Sequence, residues 1–367
     1  MIPYERYSRA VSRLPSVAFD MEAEQPVRER LIEYFGGCEW DSVLDTVGCD
    51  KRSVYPRYIG PALETYPDGS FESIVSGGPR MKMIDTPFGL IGAYVFFPWA
   101  DIEKPGQLKD RWGWNGKIEW WDFTSVTKQI DELEERGSYW ISSHGDPSGL
   151  QHLCMWAGDE NYLYILASDE ELAVAMIEKH NEIRLEHAMR TLEAGGGRIH
   201  QLDGGGDYGT QRGMLIHPGT FRRLFKPLYQ KFYREIKANY DVKIQFHSCG
   251  SIVDIIPDLI EVGVDILDPV QVQAHGMSPE ELHSRFSDSL IFHGGVDIQE
   301  LLPHASPMEV AAEIKRLYCA LGGGSGYIIA PTHFIQADTP LENILAMCGE
   351  VRNLRQALEG DYRKNGE

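Results

Sequence analysis

The sequence predicts an α/β protein built as a (β/α)8 barrel of the TIM-barrel type, and three observations support this prediction. After roughly the first hundred residues, short apolar runs alternate with amphipathic helical stretches. The apolar runs end in loops rich in Gly, Asp and His. About seven or eight such units, joined by crossovers, fit a closed barrel of parallel strands better than an open sheet. A chain of 367 residues can form such a barrel as one domain, predicted over residues 1–367.

Each predicted strand is a short apolar run, and a helical stretch follows most of these runs. The strands are predicted at residues 15–20, 138–143, 198–202, from 243, 264–268, 290–293 and 327–330. The helices are predicted at residues 27–35, 41–47, from 148, 217–239, from 252, 278–287 and 307–321. Pro218, in the first turn of the longest of these helices, is typical of a helix start.

The region before the repeating pattern predicts an N-terminal helical and β-hairpin elaboration over the barrel mouth. Two short helices follow the first strand. Residues 53–97 contain β-rich pieces punctuated by Gly and Pro, including the apolar run 88–96. We interpret 53–97 as a β insertion that serves as a substrate lid. The tryptophans that follow it are expected to form a buried cluster that holds it in place, and they are Trp112, Trp114, Trp120 and Trp121.

Composition and charge argue against several classes of function. The formal net charge is −20 and no basic run is present, which argues against nucleic acid or an anionic membrane as a partner. No apolar run approaches the length of a membrane span, and the N-terminal residues lack a signal pattern, so a cytoplasmic location is expected. The six cysteines are scattered, which is typical of reduced thiols rather than of a disulfide framework.

The run from Lys243 to Gly250 places a histidine and a cysteine together at the end of an apolar strand. His247 and Cys249 are two residues apart, so their side chains point the same way from an extended backbone. Imidazole and thiolate together favour zinc, and few protein ligands would leave a position open for chemistry. The pair alone is more typical of a packed thiol beside a hydrogen-bonded histidine.

Several segments resemble the uroporphyrinogen decarboxylase superfamily, which includes the cobamide and corrinoid methyltransferases. They match in order and spacing at residues 207–213, 225–227, 246–250, 265–271, 292–297 and 326–333. The resemblance is clearest over residues 203–350 and implies a (β/α)8 barrel with its site at the carboxyl ends of the strands. The heme-pathway decarboxylases grip substrate carboxylates with an N-terminal arginine-rich segment. Residues 15–26 contain no counterpart, so decarboxylation of uroporphyrinogen is not expected.

The methyltransferase branch holds zinc with a His-x-Cys pair and a later cysteine, and this chain departs from that pattern at one position. His247 and Cys249 match the pair, while His333 stands at the later position. The resemblance therefore implies zinc bound by these three residues. Two imidazoles and one thiolate leave the site with a formal charge of about +1, which favours oxygen ligands more than the two-thiolate version does. The alternative is a metal-free site in which His333 caps a turn.

Other polar residues near the strand ends are expected at the same mouth. Asp203 and Asp207 flank three glycines, so each either acts on a ligand as a carboxylate or favours a turn. His293 is expected to be catalytic, by orienting a metal ligand. Asp268 also follows an apolar run. The expected substrate-binding residues are His144, Tyr208, Gln245, Gln271 and Gln273.

Two classes of reaction follow from these residues and the resemblance. The first is methyl transfer, in which zinc activates the acceptor and the methyl group travels on a corrinoid or a small donor. The second is a metal-dependent decarboxylase or lyase acting on a small carboxylic or hydroxy acid, with an anion stabilised as a bond breaks. A binding protein on a barrel scaffold is a third interpretation. The expected partners are a small-molecule substrate, a corrinoid protein and a second copy of the chain.

Overall fold

The computed structural model describes residues 1–87, 89–114 and 116–365, so Phe88 of the predicted insertion lies outside the described residues. Eight parallel strands form one sheet, which confirms the predicted barrel. In chain order they are β1 (Ala18–Phe19), β2 (Lys51–Ser53), β3 (Trp140–His144), β4 (Gln201–Gly205), β5 (Lys243–His247), β6 (Ile266–Val270), β7 (Ile291–Val296) and β8 (Tyr327–Pro331).

The strands follow one another around the sheet in the order β1, β8, β7, β6, β5, β4, β3, β2. Two hydrogen bonds join the first strand to the start of the second. The Asp50 backbone N–H donates to the Phe19 carbonyl at 2.8 Å, and the Asp50 carboxylate accepts from the Phe19 N–H at 3.0 Å. The register pairs His247 with Gly205 on one side and with Asp268 on the other. The carboxyl ends of the strands therefore meet at one mouth, where barrel enzymes carry their sites.

Helices lie between successive strands. The α-helices are Pro3–Val11, Gln25–Tyr34, Trp40–Val47, Thr124–Arg136, Leu150–Ala157, Asp159–Ser168, Glu170–His180, Arg184–Gly195, Pro218–Thr220, Lys226–Asn239, Ile256–Val262, Pro279–Phe286, Leu301–His304, Pro307–Ala320 and Leu341–Asn365. The predicted long helix begins at Pro218 and passes through a π turn at Phe221–Phe225. The helix predicted from residue 252 begins later, at Ile256. No helix in the described part of the chain is both long and apolar enough to cross a membrane.

The helix Pro3–Val11 packs at the amino end of the barrel, a feature that the sequence pattern does not predict. Its buried residue Tyr7 stacks on Trp140 with ring centroids 5.1 Å apart. Both belong to a buried cluster that also contains Ala18, Ile266 and Ile328, near the starts of three strands. Because this end is filled by apolar side chains, the open cavity lies at the other end.

The predicted β insertion is present after β2, on the side of the mouth. Its main hairpin pairs Arg80–Thr86 with Gly89–Phe96, and Phe71–Glu72 adds a third strand. A separate pair joins Arg57–Tyr58 to Trp121–Asp122, so the elaboration extends beyond residue 97. Leu90 and Ile91 border a pocket with residues 336–338 of the loop after β8. The tip of the hairpin therefore lies beside the loop after β8.

Two sequence-based expectations about this region need correction. The sequence pattern assigns no strand to Lys51–Ser53 and begins the insertion at residue 53, whereas the structure forms β2 there. Lys51 and Arg52 tolerate burial because they pair with Asp20 and Asp45 respectively. The expected tryptophan cluster is only partly buried. Its members contact one another or nearby histidines, for example Trp112 with Trp120 at 5.6 Å.

Candidate metal centre

A cavity of about 350 Å³ opens at the carboxyl ends of the strands. Its wall is unusually rich in ionisable groups. Carboxylates and imidazoles from seven of the eight strands or the turns that follow them face this space. The lining includes Asp20, Glu22, Lys51, His144, Asp203, Asp207, Gln245, His247, Asp268, His293 and His333.

The structure brings together the three residues that the resemblance implies as zinc ligands. One ligand atom from each of His247, Cys249 and His333 lies within 4.8 Å of the others. The distance from His247 Nε2 to Cys249 Sγ is 3.5 Å. Two ligands at about 2.0–2.3 Å from a tetrahedral zinc ion are roughly 3.5 Å apart, so this pair already has suitable spacing.

The orientation of His247 also fits a metal ligand. Its Nδ1 lies 2.6 Å from Asp268 Oδ2, and a proton on Nδ1 leaves the Nε2 lone pair free for a metal. Burial alone would lower the pKa of His247, but Asp268 raises that pKa well above its usual value. A more basic imidazole is a stronger ligand. Burial raises the pKa of the Cys249 thiol, with His247 opposing, so a bound cation would stabilise its thiolate.

A chain of buried charged groups extends from His247 into the barrel. Asp268 also accepts from His293 Nδ1 at 2.6 Å, and His293 Nε2 lies 3.1 Å from Asp20. Asp20 in turn pairs with Lys51 at 2.7 Å. Burial alone would lower the pKa of His293, yet Asp268 and Asp20 raise it to about 9. His293 therefore carries a positive charge at neutral pH and holds Asp268 in place.

The two aspartates flanking the glycine run have different surroundings. Asp203 lies 3.4 Å from Lys51 Nζ and accepts from Gln201 at 2.6 Å. Asp207 accepts the Cys249 backbone N–H at 2.8 Å and lies 3.7 Å from His247 Nε2. Gln151 donates to its second oxygen at 3.0 Å. Asp207 is therefore the carboxylate beside the three candidate ligands, whereas Asp203 is paired with Lys51.

A second group of possible ligands, His144, Asp146 and His152, lies at the end of β3 and in the loop and helix that follow it. His144 Nε2 is 3.3 Å from Asp146 Oδ1. The same carboxylate forms a buried ion pair with Arg184 and accepts the Gly205 N–H at 2.8 Å. Its charge is already neutralised by a guanidinium, which would also repel a metal ion.

Comparison with known proteins identifies the family. A family model described as uroporphyrinogen decarboxylase (URO-D) matches residues 151–354, more than half of the chain. This chain belongs to the uroporphyrinogen decarboxylase family. The matched segment contains all three candidate metal ligands. A search of curated proteins finds no match.

One solved structure shares the fold of this family member over almost the whole chain, and two others match it weakly. A methyltransferase from Methanosarcina mazei matches 96% of this chain and 99% of its own length, with a TM-score of 0.66 and 17% identity. A xylose isomerase domain protein from Alicyclobacillus acidocaldarius matches 64% of this chain and 81% of its own, with a TM-score of 0.35 and 13% identity. A GH18 chitinase from Flavobacterium johnsoniae has the same coverages, a TM-score of 0.34 and 8% identity.

The predicted substrate-binding residues of this family member divide into two groups. His144 and Gln245 line the cavity, and Gln271 lines a neighbouring cleft. Tyr208 and Gln273 line neither space. The Tyr208 ring is fully buried and its hydroxyl lies 3.1 Å from that of Tyr229, while Gln273 is exposed on the surface. The sequence shows that Tyr208 follows a predicted strand, but it does not show whether the ring packs into the core or faces the mouth.

The sequence analysis did not predict Lys51, which pairs with two aspartates in the cavity wall. Lys51 is 5% exposed and contacts both Asp20 and Asp203. Burial alone would lower the pKa of Lys51, but these carboxylates raise it well above its usual value, so the side chain stays charged. The sequence signal for it is Asp20, which ends the first predicted strand. A carboxylate buried at a strand end is expected to pair with a cation.

Proposed function

We propose that this protein is a zinc-dependent methyltransferase that moves a methyl group between a corrinoid, carried on a partner protein, and a small thiol acceptor. The observation that carries the proposal is the convergence of His247, Cys249 and His333 at the cavity wall, with an imidazole oriented by Asp268. Three protein ligands leave a fourth tetrahedral position for a substrate atom, as in catalytic rather than structural zinc sites.

The donor set fits zinc, which when bound lowers the pKa of a coordinated thiol and so supplies the acceptor as an anion. His247 presents Nε2 because Asp268 accepts from its other nitrogen. His293 acts as a positioning residue, since it holds Asp268 from the side opposite to His247. The outer partners of metal-binding histidines commonly perform this orienting task.

We infer that Asp207 takes the acceptor's proton. Its carboxylate lies 3.7 Å from His247 Nε2 and is fixed by the Cys249 N–H and Gln151. In the proposed reaction the S–H proton passes to this carboxylate, and the sulfur lone pair forms the bond to the methyl carbon. The bond between that carbon and the donor breaks, and its electron pair leaves with the donor.

One observation favours a second function, a lyase or decarboxylase acting on a small carboxylic or hydroxy acid. His333 in place of a second thiolate leaves a more positive metal, which binds oxygen ligands better. Against it, the cations Lys51 and His293 in the cavity wall are already paired with Asp20, Asp203 and Asp268, so they are not free to bind a substrate carboxylate.

The methyltransferase proposal is tested by incubating zinc-loaded protein with methylcob(III)alamin and thiols while following the cobalamin spectrum. We expect demethylation by the wild type and a loss of at least about a hundredfold in Cys249→Ser. Cys319→Ser is the matched control, because that cysteine is exposed on the helix Pro307–Ala320, and it should retain activity. Absence of demethylation with every thiol and with tetrahydrofolate would contradict the proposal. Release of carbon dioxide from a carboxylic acid would favour the lyase.

A further inference from the structure

A second cavity, of about 240 Å³, lies beside the candidate ligands and is here termed the amide cleft. The cavity of about 350 Å³ described above is here termed the acidic cavity. His247 lines the acidic cavity, Cys249 lines the amide cleft, and His333 lines both. The three candidate ligands thus form part of the wall between two open spaces. A substrate atom at the metal position is reachable from either side.

The lining of the amide cleft differs chemically from that of the acidic cavity. Among the residues that the structure describes, its lining contains no ionisable side chain apart from Cys249 and His333. Its polar side chains are hydroxyls and carboxamides, contributed by Thr210, Gln211, Gln271, Gln299, Thr332 and Gln336. A charged group that lies in this space away from the metal would lose water without gaining an opposite charge from the lining. The lining therefore favours an uncharged, hydrogen-bonding ligand.

Gln271 supplies the specific observation. It is 6% exposed, and its Oε1 accepts the Gly250 N–H at 2.6 Å, which fixes the direction of the amide. Its Nε2 has no hydrogen-bond partner among the residues that the structure describes, although it lies in the lining of the cleft. Because Oε1 is held by the Gly250 N–H, this Nε2 donor is free to bind a ligand oxygen in the cleft.

We propose that the amide cleft binds the methyl acceptor as a small uncharged thiol bearing a carbonyl oxygen, which accepts a hydrogen bond from Gln271 Nε2. This inference rests on the proposed function. Direct displacement requires the attacking sulfur and the leaving group to lie on opposite sides of the methyl carbon. Entry of the acceptor through the amide cleft leaves the acidic cavity for the methyl donor. The small volume of the cleft suits a compact acceptor.

The test uses protein loaded with Co²⁺ in place of zinc and follows the thiolate-to-cobalt absorption band as thiols are added. The probes are N-acetylcysteamine, which carries a carbonyl oxygen, ethanethiol, which lacks one, and 3-mercaptopropionate, which is anionic. Gln271→Glu keeps an oxygen for the Gly250 N–H but replaces the Nε2 donor with an acceptor. Gln273→Glu is the matched control, because it introduces the same charge two residues away on the exposed surface.

We expect Gln271→Glu to weaken N-acetylcysteamine binding about tenfold and to change ethanethiol binding less than about twofold. Gln273→Glu should change neither. In the wild type, N-acetylcysteamine should bind more tightly than 3-mercaptopropionate.

Equal weakening of N-acetylcysteamine and ethanethiol in Gln271→Glu would overturn the cleft while leaving the proposed function standing. Tighter wild-type binding of the anionic thiol would do the same. Failure of the wild type to bind Co²⁺, or to give the band with any thiol, would instead overturn the proposed function, and the cleft with it.

Discussion

Two groups of possible metal ligands contribute histidines to the same cavity, and their surroundings differ. His247, Cys249 and His333 leave ligand atoms directed at one another, with a carboxylate holding only the far nitrogen of His247. In the group of His144, Asp146 and His152, the central carboxylate is already bound by Arg184. The comparison teaches that a neighbouring cation decides whether clustered ligand-type residues are free for a metal: Arg184 pairs with Asp146, whereas no such guanidinium contact is found for the first group among the described residues.

The histidines of the two regions differ in the same way. Burial lowers the pKa of His152 to about 3, so it is neutral. Asp268 and Asp20 overcome the opposing effect of burial and raise the pKa of His293 to about 9. The network of Asp268, His293 and Asp20 behind the first group thus contains a positively charged imidazole. In the second group Asp146 is paired with Arg184, and His152 is uncharged.

The largest effect is expected from removing the ion pair between Asp146 and Arg184. Asp146→Asn leaves Arg184 charged and buried, so the free energy of unfolding should fall by about 3–5 kcal/mol. Chemical denaturation monitored by circular dichroism measures this change. Asp131→Asn, which removes a partner of Arg198 at the surface, is the control and should have a much smaller effect. If the Asp146 variant is as stable as the control, Asp146 is not held by Arg184 and the contrast fails.

The next prediction compares how His293 and His152 make the free energy of unfolding depend on pH, measured in the presence of a chelator. The stabilisation from His293, about 3 kcal/mol, is fully present below its unfolded pKa near 6.5 and is lost as pH rises through about 9. His152, whose folded pKa is lowered, stabilises above about pH 6.5 and loses that contribution as pH falls toward 3.

Thermal melts of the wild type, His293→Gln and His152→Gln across this range measure both effects. The loss of melting temperature between pH 6.5 and 9 should be smaller in His293→Gln than in the wild type. The loss below pH 6.5 should be smaller in His152→Gln. Identical pH profiles for the three proteins would refute the assigned charge states.

The barrel was predictable because buried parallel strands appear as apolar runs that end in polar loops. Such runs identified β1 and β3 to β8, but β2 has only three residues and two of them are basic. Its burial depends on Asp20 and Asp45, and the pair with Asp20 forms only when the barrel brings separate strand ends together. Strand pattern could not supply that contact.

The site was predictable in part for a similar reason. The spacing of His247 and Cys249 is local, and the resemblance supplied His333. The amide cleft and the chain from His247 to Lys51 depend on three-dimensional packing between strands distant in sequence. Tyr208, next to Asp207 in sequence, points into the core because its ring packs on Phe221 and Phe225.

A third prediction compares zinc affinity between the two groups. Cys249→Ser removes a candidate ligand and should lower zinc affinity at least about a hundredfold, beyond the usual effect of an outer-shell partner. His144→Ala removes a histidine from the second group and should leave the affinity unchanged. Competition with a chromophoric chelator measures both. Loss of zinc in the His144 variant with retention in the Cys249 variant would reverse the assignment.

The smallest expected effect concerns the orientation of His247. Asp268→Asn weakens the hydrogen bond to Nδ1 and should lower zinc affinity about tenfold. The same chelator competition measures it, and circular dichroism verifies the fold. Gln245→Glu changes a cavity residue that contacts Gln201 rather than a candidate ligand, and serves as the control. Unchanged affinity in Asp268→Asn would show that the carboxylate does not orient the ligand.

The central claim, a zinc centre at His247, Cys249 and His333, is tested most directly by X-ray absorption at the zinc edge. We predict about one zinc ion per chain, with one sulfur at about 2.3 Å and two imidazole nitrogens at about 2.0–2.1 Å. Protein never exposed to chelator that contains less than about a tenth of an equivalent of zinc, or zinc whose ligands include no sulfur, would contradict the claim.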